Sequence, residues 1–311
     1  MLEIQRPVMR AASVLSIHES DSSGQGGVQA DARVCAALGC HPLSVVTQVS
    51  SRGGLKADQS LAMPVEAVMT QLTALLEGIG ADAIKVGMLG SFQSGEAVGR
   101  ALKGALEGAP GVSVVVDPGL FDKKGRRRAD ERLDGVFKAR FLRLARVVCV
   151  NVFEAEALTG RRVSSMDSRR DALRALRDGG AVAAVVVSSQ IDRHAVDLVY
   201  DGSGFVEMGG DRVATEHHGG AGAALSAGIA AHLARGVGVL GAIEAARALV
   251  VEAIVEAARV GPGPSRSGFA PINPMAGLYR RAGLGFASVA VDSVAVDSVA
   301  VSMDEQGEQE R

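Results

Sequence analysis

The sequence predicts an α/β fold, a doubly wound and mainly parallel central sheet with helices on both faces. Short runs rich in Val, Ile, Leu and Ala alternate with longer segments of helical periodicity, and the alternation repeats several times. Most of the short runs are nearly continuous in apolar residues, as expected of strands buried on both faces of a parallel sheet. Strand–helix–strand units in this number imply right-handed crossovers around one sheet. The 311 residues are 47% hydrophobic and 22% charged, which supplies a large core and excludes global disorder.

The predicted strands are 12–17, 43–49, 83–89, 113–117, 147–151 and 182–188, and helical spacing covers 27–39, 64–79, 94–108 and 167–180. Past residue 195 the runs 196–200 and 204–208 alternate apolar and polar about Asp201-Gly202. That is a hairpin signal, and it adds an antiparallel edge to the sheet. Two Ala-rich helices, about 219–235 and 239–260, complete the body and suit close packing on a sheet face. Residues 12–274 are read as the folded domain, 1–11 as an N-terminal extension and 275–311 as a low-complexity tail. In that tail SVAVD recurs from Ser288 before an acidic end. A five-residue repeat buries no two-sided core by itself.

Lys and Arg number 33 against 35 Asp and Glu, a net charge of −2. This balance argues against a nucleic-acid coat or a polybasic membrane anchor. Aromatic residues are 3% of the chain with no Trp, so base-stacking platforms are not expected. Cys35, Cys40 and Cys149 form no C-x-x-C pair. That speaks against a disulfide framework or structural zinc and for a reducing cytoplasm. The opening MLEIQRPVMR has no apolar signal region, and no run approaches the ~20 apolar residues of a membrane span. A soluble cytoplasmic protein without nucleic-acid or membrane partners is the expectation.

Ligands of doubly wound sheets bind beyond the carboxyl ends of the strands, so the polar segments there are the places to search. Gly219, Gly220 and Gly222 open an Ala-rich helix. Free N–H groups at a helix N-terminus suit a phosphate in transfer, although close packing would use the same glycines. Residues 18–31 gather Asp21, serines and glycines after the first strand, as a small polar ligand or a capped loop requires. Asn151 and Glu154 stand three apart after a strand end. The spacing suits a hydrated Mg²⁺, and equally a cap with Asn151 at the N-cap and Glu154 near N3. Asp117 ends another strand and is a further metal candidate, while Lys123 and Lys124 would meet phosphate if the basic run 123–132 is more than a solvated face.

In order and spacing these segments resemble the hydroxymethylpyrimidine and phosphomethylpyrimidine kinases of thiamine biosynthesis, within the ribokinase-like superfamily. The resemblance covers roughly residues 12–260. SDSSGQGGVQAD at 20–31 resembles the family's T-D-P-S-G-G-A-G-I-Q-A-D, and KVGMLGS at 85–91 its K-x-G-M-L-G-S. VVDPGL at 115–120, with Lys123 and Gly125, is similar to V-V-D-P-V-M followed by K-x-G. VNVFEA at 150–155 resembles P-N-x-x-E-A, and GAGAALSA at 220–227 resembles G-T-G-C-T-L-S-A. The resemblance implies ATP- and Mg²⁺-dependent phosphorylation of a small vitamin precursor, hydroxymethylpyrimidine or its monophosphate, with a pyridoxal-type vitamer as the nearest alternative. Related kinases often dimerise, so a homodimer is implied too. Carried onto this chain, the resemblance implies an anion hole at Gly220, Ala221 and Gly222. It implies nucleotide contacts from Lys123, Asn151, Gly220 and Gly222, and a metal held mainly through water by Asp117, Asn151 and Glu154. Glu19, Asp21, Arg52, Met88 and Gly119 would line the substrate pocket.

The departures are as informative. Where the family carries its proton acceptor the chain has Ala223, so the base is absent. Glu19 stands where a glycine approaches the substrate, and Arg52 replaces a substrate-contacting Gln. The family's M-K-G-G-H reads VSSQI at 187–191, which loses a lysine near the nucleotide. His217 and His218 are either a displaced base or ordinary loop histidines, and Cys149 is read as core. The retained phosphate side favours a kinase. The altered pocket favours a catalytically impaired homologue that binds nucleotide or a vitamer as a sensor or partner.

Overall fold

Every apolar run of the sequence becomes a strand. The structure is a computed structural model that describes residues 10–52, 59–186, 196–210, 213, 215, 218–257 and 271–284. Its elements are, in order, β1 (Ser13–Asp21), α1 (Gly27–Ala37), β2 (His41–Ser51), β3 (Gln59–Ala62), α2 (Val65–Gly78), β4 (Ala83–Val86), α3 (Phe92–Glu107) and β5 (Ser113–Val116). There follow α4 (Arg132–Val136, continued by a π-turn over Phe137–Phe141), β6 (Val147–Val150), α5 (Val152–Thr159), α6 (Met166–Asp178) and β7 (Ala183–Val186). The last are β8 (Asp197–Tyr200), β9 (Phe205–Met208), α7 (Ala221–Ala234), α8 (Val239–Val255) and α9 (Ala276–Arg281).

Among the described residues the sheet has nine strands in the order β3-β2-β1-β4-β5-β6-β7-β8-β9. Strands β2, β1, β4, β5, β6 and β7 are parallel, β3 is antiparallel to β2, and the β8–β9 hairpin extends the far edge antiparallel. The expected class is the observed one. Because β1 has β2 on one side and β4 on the other, the winding direction reverses beside it. That makes the carboxyl end of β1 the topological switch point where a ligand crevice forms.

Alternation along β1 divides the core. Leu15 and Ile17 join one apolar cluster with Val68 and Leu72 of α2, Val98 and Leu102 of α3, and Phe137 and Phe141. Val14 belongs to the other, with Val34 of α1 and the alanines of α7 and α8. A Cβ added at Gly228 would stand 2.9 Å from the Cβ of Ala246, so α7 and α8 meet almost backbone to backbone. Close approach of this kind fills a core with few aromatic side chains.

One irregularity positions the site. The β1–β2 pairing runs in register to His18↔Val46 and resumes at Ser20↔Val49, so β2 contains one extra residue, a β-bulge. Before it the inward positions are Leu43, Val45 and Thr47; after it they are Gln48 and Ser50. The bulge turns a polar ladder inward where the strand leaves the core.

Some structure was not anticipated. β3 is four residues long with every residue exposed, and α9 lies in the stretch read as tail. Arg280 of α9 pairs with Glu252 of α8 and with Glu256 just past its end, so this segment docks on the domain. The SVAVD repeats and residues 187–191 lie outside the described residues. Among the described residues no helix is long and apolar enough to cross a membrane.

Candidate active site

The phosphate-binding candidates form the first turn of α7. Gly220, its N-cap, has φ +91°, and a Cβ there would stand 2.1 Å from the Gln25 carbonyl oxygen, so only glycine fits. The loop after β1 therefore lies directly on the loop that starts α7. Ala221 N donates to His218 O at 3.3 Å, and Ile272 N donates to Gly219 O at 3.2 Å, tying the C-terminal segment to the same loop. Gly222 is exposed, with nothing within 4 Å of an added Cβ. First-turn N–H groups have no partner within their own helix; Ala221 N turns back to His218 O, and at Gly222 the turn borders open space. The structure thus brings Gly220, Ala221, Gly222 and Ala223 together at the switch point.

Beneath that turn lies a buried polar floor that the sequence reading did not single out. Lys85 of β4 is fully buried. Its Nζ donates to Asp31 Oδ1 of α1 (2.5 Å) and to Ala223 O (3.1 Å), and lies 3.9 Å from Asp117 Oδ2. Ser16 Oγ of β1 donates to Asp31 Oδ2, and Ser226 Oγ donates to Asp117 Oδ2 at 2.6 Å. Residues of β1, α1, β4, the end of β5 and α7 are bound into one network. Burial pushes the Asp117 carboxyl above its ordinary range, against the opposing pull of Lys85. The available signal was a lysine inside an apolar strand, because a buried ammonium needs anionic partners.

Asn151 and Glu154 form a full capping box on α5: Asn151 Oδ1 accepts from Glu154 N at 3.0 Å, and Glu154 Oε2 accepts from Asn151 N at 3.0 Å. Asn151 Nδ2 also donates to Phe121 O at 3.2 Å, so its amide is engaged at both ends. Glu154 is buried, and burial, with the Asp117 charge adding to it, pushes its carboxyl up to about 8. Among the described residues no three His, Cys, Asp or Glu side chains gather to hold a metal directly. Glu154 is buried and the Asp117 side chain is 19% exposed, and two such carboxyls in electrostatic contact fit a cation that keeps most of its waters, which is the habit of Mg²⁺. Asp117 and Glu154 are the residues that would hold such a cation if one binds here. Lys123 Nζ lies 2.7 Å from His218 Nε2, joining the loop after β5 to the entrance of α7. Lys124 is in an exposed turn, and His217 lies outside the described residues.

On the other side of β1 the substrate candidates converge. Glu19 is 1% exposed, and its Oε2 accepts from Ser50 Oγ (2.6 Å), Gln48 Nε2 (3.1 Å) and Arg52 Nη2 (2.9 Å). Its Oε1 accepts from Arg128 Nη2 at 2.9 Å. Gln48, Ser50 and Arg52 are alternate residues, so all three point the same way once the bulge has set the phase. Met88 Sδ is 2.9 Å from Gln48 Nε2, and a Cβ at Gly119 would lie 3.5 Å from Met88 Cε. Glu19, Arg52, Met88 and Gly119 are therefore one cluster. Asp21 is occupied differently: its carboxylate accepts from Ser23 N, Ser23 Oγ and Gly26 N and shapes the loop over Gly220. His18 Nδ1 accepts from Glu19 N at 2.7 Å, and burial first, then Lys85, lowers the imidazole to about 3. It is neutral. The sequence reading missed Gln48 and Ser50, legible as a period-2 ladder with Arg52, and Arg128, which lies in the run read as a solvated face.

The sequence profile of phosphomethylpyrimidine kinase matches residues 21–268. The chain belongs to the phosphomethylpyrimidine kinase family. The hydroxymethylpyrimidine/phosphomethylpyrimidine kinase of Streptomyces coelicolor is 34% identical over 258 residues, 83% of this chain and 94% of that one. A thiamine biosynthetic bifunctional enzyme of Arabidopsis thaliana is 32% identical over 250 residues, and the match spans only 47% of its length. Among solved structures, the pyridoxal kinase of Bacillus subtilis in its ADP complex superposes with a TM-score of 0.78 at 25% identity, covering 86% of this chain and 98% of that one. The Staphylococcus aureus pyridoxal kinase in complex with AMP-PCP gives 0.78 at 27% identity, covering 88% and 96%. Within this phosphomethylpyrimidine kinase scaffold Ala223 has only a methyl side chain, which accepts no proton, and its carbonyl is held by Lys85 and Ser226.

Proposed function

We propose that the protein transfers the terminal phosphoryl group of ATP to a small hydroxymethyl heterocycle, hydroxymethylpyrimidine or its monophosphate, in thiamine biosynthesis. The observation that carries this reading is the open first turn of α7 at Gly220–Gly222, set over the Lys85–Asp31–Asp117–Ser226 floor. In the transfer the acceptor hydroxyl oxygen bonds to the γ-phosphorus, the γ-phosphorus–bridging oxygen bond breaks, ADP leaves, and the hydroxyl proton passes to water or a phosphate oxygen, because the Ala223 side chain accepts none. The α7 N–H groups receive charge that develops on the transferring oxygens, and Lys123 adds a cation at the mouth. Mg²⁺, when bound by Asp117 and Glu154, supplies neutralisation of phosphate charge. The three cysteines are buried free thiols, which suits a reducing cytoplasm.

Ala223 supports a second reading, an impaired homologue that binds nucleotide or a vitamer. Loss of a general base typically lowers a rate by about 10²–10⁴-fold. A panel of vitamers, pyridoxal included, with ATP and Mg²⁺ and mass detection of product separates the two. Turnover at the ~1–100 s⁻¹ usual for kinases excludes the impaired reading; ATP binding without product on any vitamer supports it. Calorimetry on Glu154→Ala tests the metal, and equal Mg²⁺-dependent ATP affinity in both proteins removes Glu154 from the site.

A further inference from the structure

Glu19 is surrounded, and its neighbours are not. Four donors fill its two carboxylate oxygens, so it has little left to offer a ligand and acts as a bracket for two guanidiniums. Each guanidinium gives Glu19 one Nη2 hydrogen bond, and each has five N–H donors in all. Arg52 Nε is buried with no hydrogen-bond partner, and a buried orphan donor marks a missing acceptor. The charges do not cancel: Arg52 and Arg128 face one carboxylate. The other acid nearby, Asp21, is turned onto its own loop and is felt electrostatically by Arg33. Both arginine side chains are about a quarter exposed or less, 21% and 27%, so they are largely dry yet reachable.

We infer that the acceptor carries an oxyanion, carboxylate or phosphonate-like, remote from its hydroxymethyl arm, and that Arg52 and Arg128 receive it. The inference rests on the phosphoryl-transfer part of the kinase reading, and within the hydroxymethyl heterocycles it puts an anionic ring in place of the neutral pyrimidine. Charge-assisted bonds from planar forks suit such a group. A neutral pyrimidine edge, by contrast, leaves the excess positive charge and the Arg52 donor uncompensated. Gln48 and Ser50 keep Glu19 in place, and Met88 and Gly119 wall the ring side of the cluster.

The test uses three acceptors identical except at one ring position: 5-(hydroxymethyl)pyridine-3-carboxylate, the 3-phosphonate and the 3-carboxamide. Binding is measured by calorimetry without nucleotide on the full chain and on Arg128→Gln, Arg52→Gln and Arg128→Lys. At least one anionic acceptor is expected to bind wild type tenfold or more tightly than the carboxamide. The ratio falls toward one in both Gln variants and is partly retained in Arg128→Lys, and carboxylate against phosphonate identifies the oxyanion. The inference is overturned if wild type binds neither anion more tightly than the carboxamide, whether by equal affinity or by no binding. It is overturned equally if the ratio survives in Arg128→Gln. Phosphorylated product from ATP and Mg²⁺, measured separately, distinguishes failure of the kinase reading: that would abolish product formation and leave anion discrimination intact.

Discussion

Replacing Lys85 by methionine removes the charge that the floor of the site is built around. The ammonium is fully buried and held 2.5 Å from Asp31, itself almost inaccessible, with Asp117 at 3.9 Å. Without it the Asp31 and Asp117 carboxylates, 2% and 19% exposed, keep the Ser16 and Ser226 hydroxyls as their side-chain donors among the described residues. Removing one partner of a buried ion pair costs about 3–5 kcal/mol, a large part of the roughly 5–15 kcal/mol by which domains are stable. At about 2–4 °C per kcal/mol for a domain of this size, Tm should fall by roughly 6–20 °C. Methionine has nearly the shape of the lysine stem, so the loss reports charge rather than volume. The Lys85→Met/Asp31→Leu double variant should recover much of it, because apolar replacement of both partners is often neutral. Urea denaturation of the four proteins gives the coupling energy directly. Additive single losses, or a Lys85→Met loss below about 1 kcal/mol, would refute the picture of a dry, mutually dependent floor. ATP affinity should weaken in Lys85→Met at temperatures where it is folded, since the Ala223 carbonyl loses one of its two donors and keeps only Ser226.

Three further outcomes are expected. His18 is held neutral by a folded-state value near 3 against 6.5 when unfolded; its contribution is therefore present above pH 6.5 and lost as pH falls toward 3. Between pH 8 and 5 the stability gap between wild type and His18→Ala should narrow by about 2 kcal/mol, measured by urea midpoints; a gap independent of pH would mean that the imidazole titrates normally. Gly220→Ala forces a Cβ against the Gln25 carbonyl at positive φ, so a loss of about 1–3 kcal/mol and at least tenfold in ATP affinity is expected by thermal scan and calorimetry. Ala223→Cys or Ala223→Asp, combined with Glu19→Gly and Arg52→Gln, should raise phosphorylation of hydroxymethylpyrimidine above the Glu19/Arg52 double variant; no gain in a triple variant that binds the pyrimidine refutes the base position.

The parallel strands and their helices were legible because each is a local pattern with one dominant cause, burial of Val, Ile and Leu on both faces. The β8–β9 hairpin was legible for a similar reason: Asp201-Gly202 makes the turn wherever it occurs. β3 escaped because four exposed residues carry no period, and its pairing with β2 is imposed by the neighbouring strand. Asn151 and Glu154 suited two arrangements from sequence, and only the placement of Phe121 above them reveals how fully the amide is engaged. Arg128 had no local signal at all: the carboxylate that captures it lies 109 residues earlier. Lys85 is the instructive intermediate, visible as an anomaly in its strand although its partners were not.

The extra residue in β2 makes length, and not only identity, a variable in what this pocket accepts. A one-residue insertion between Thr47 and Gln48, beyond the single extra residue that the bulge absorbs, would shift the following segment by half a period, swinging Gln48, Ser50 and Arg52 outward and bringing Val49 and Ser51 in. One event would erase a charged recognition surface and install a small, nearly apolar one, while the machinery on β4, β5 and α7 kept its parts. Chains built on this sheet thus have a coarse selector beside the fine one of point substitution. Libraries that vary the length of β2 at this position should change acceptor preference in steps that no single replacement reaches.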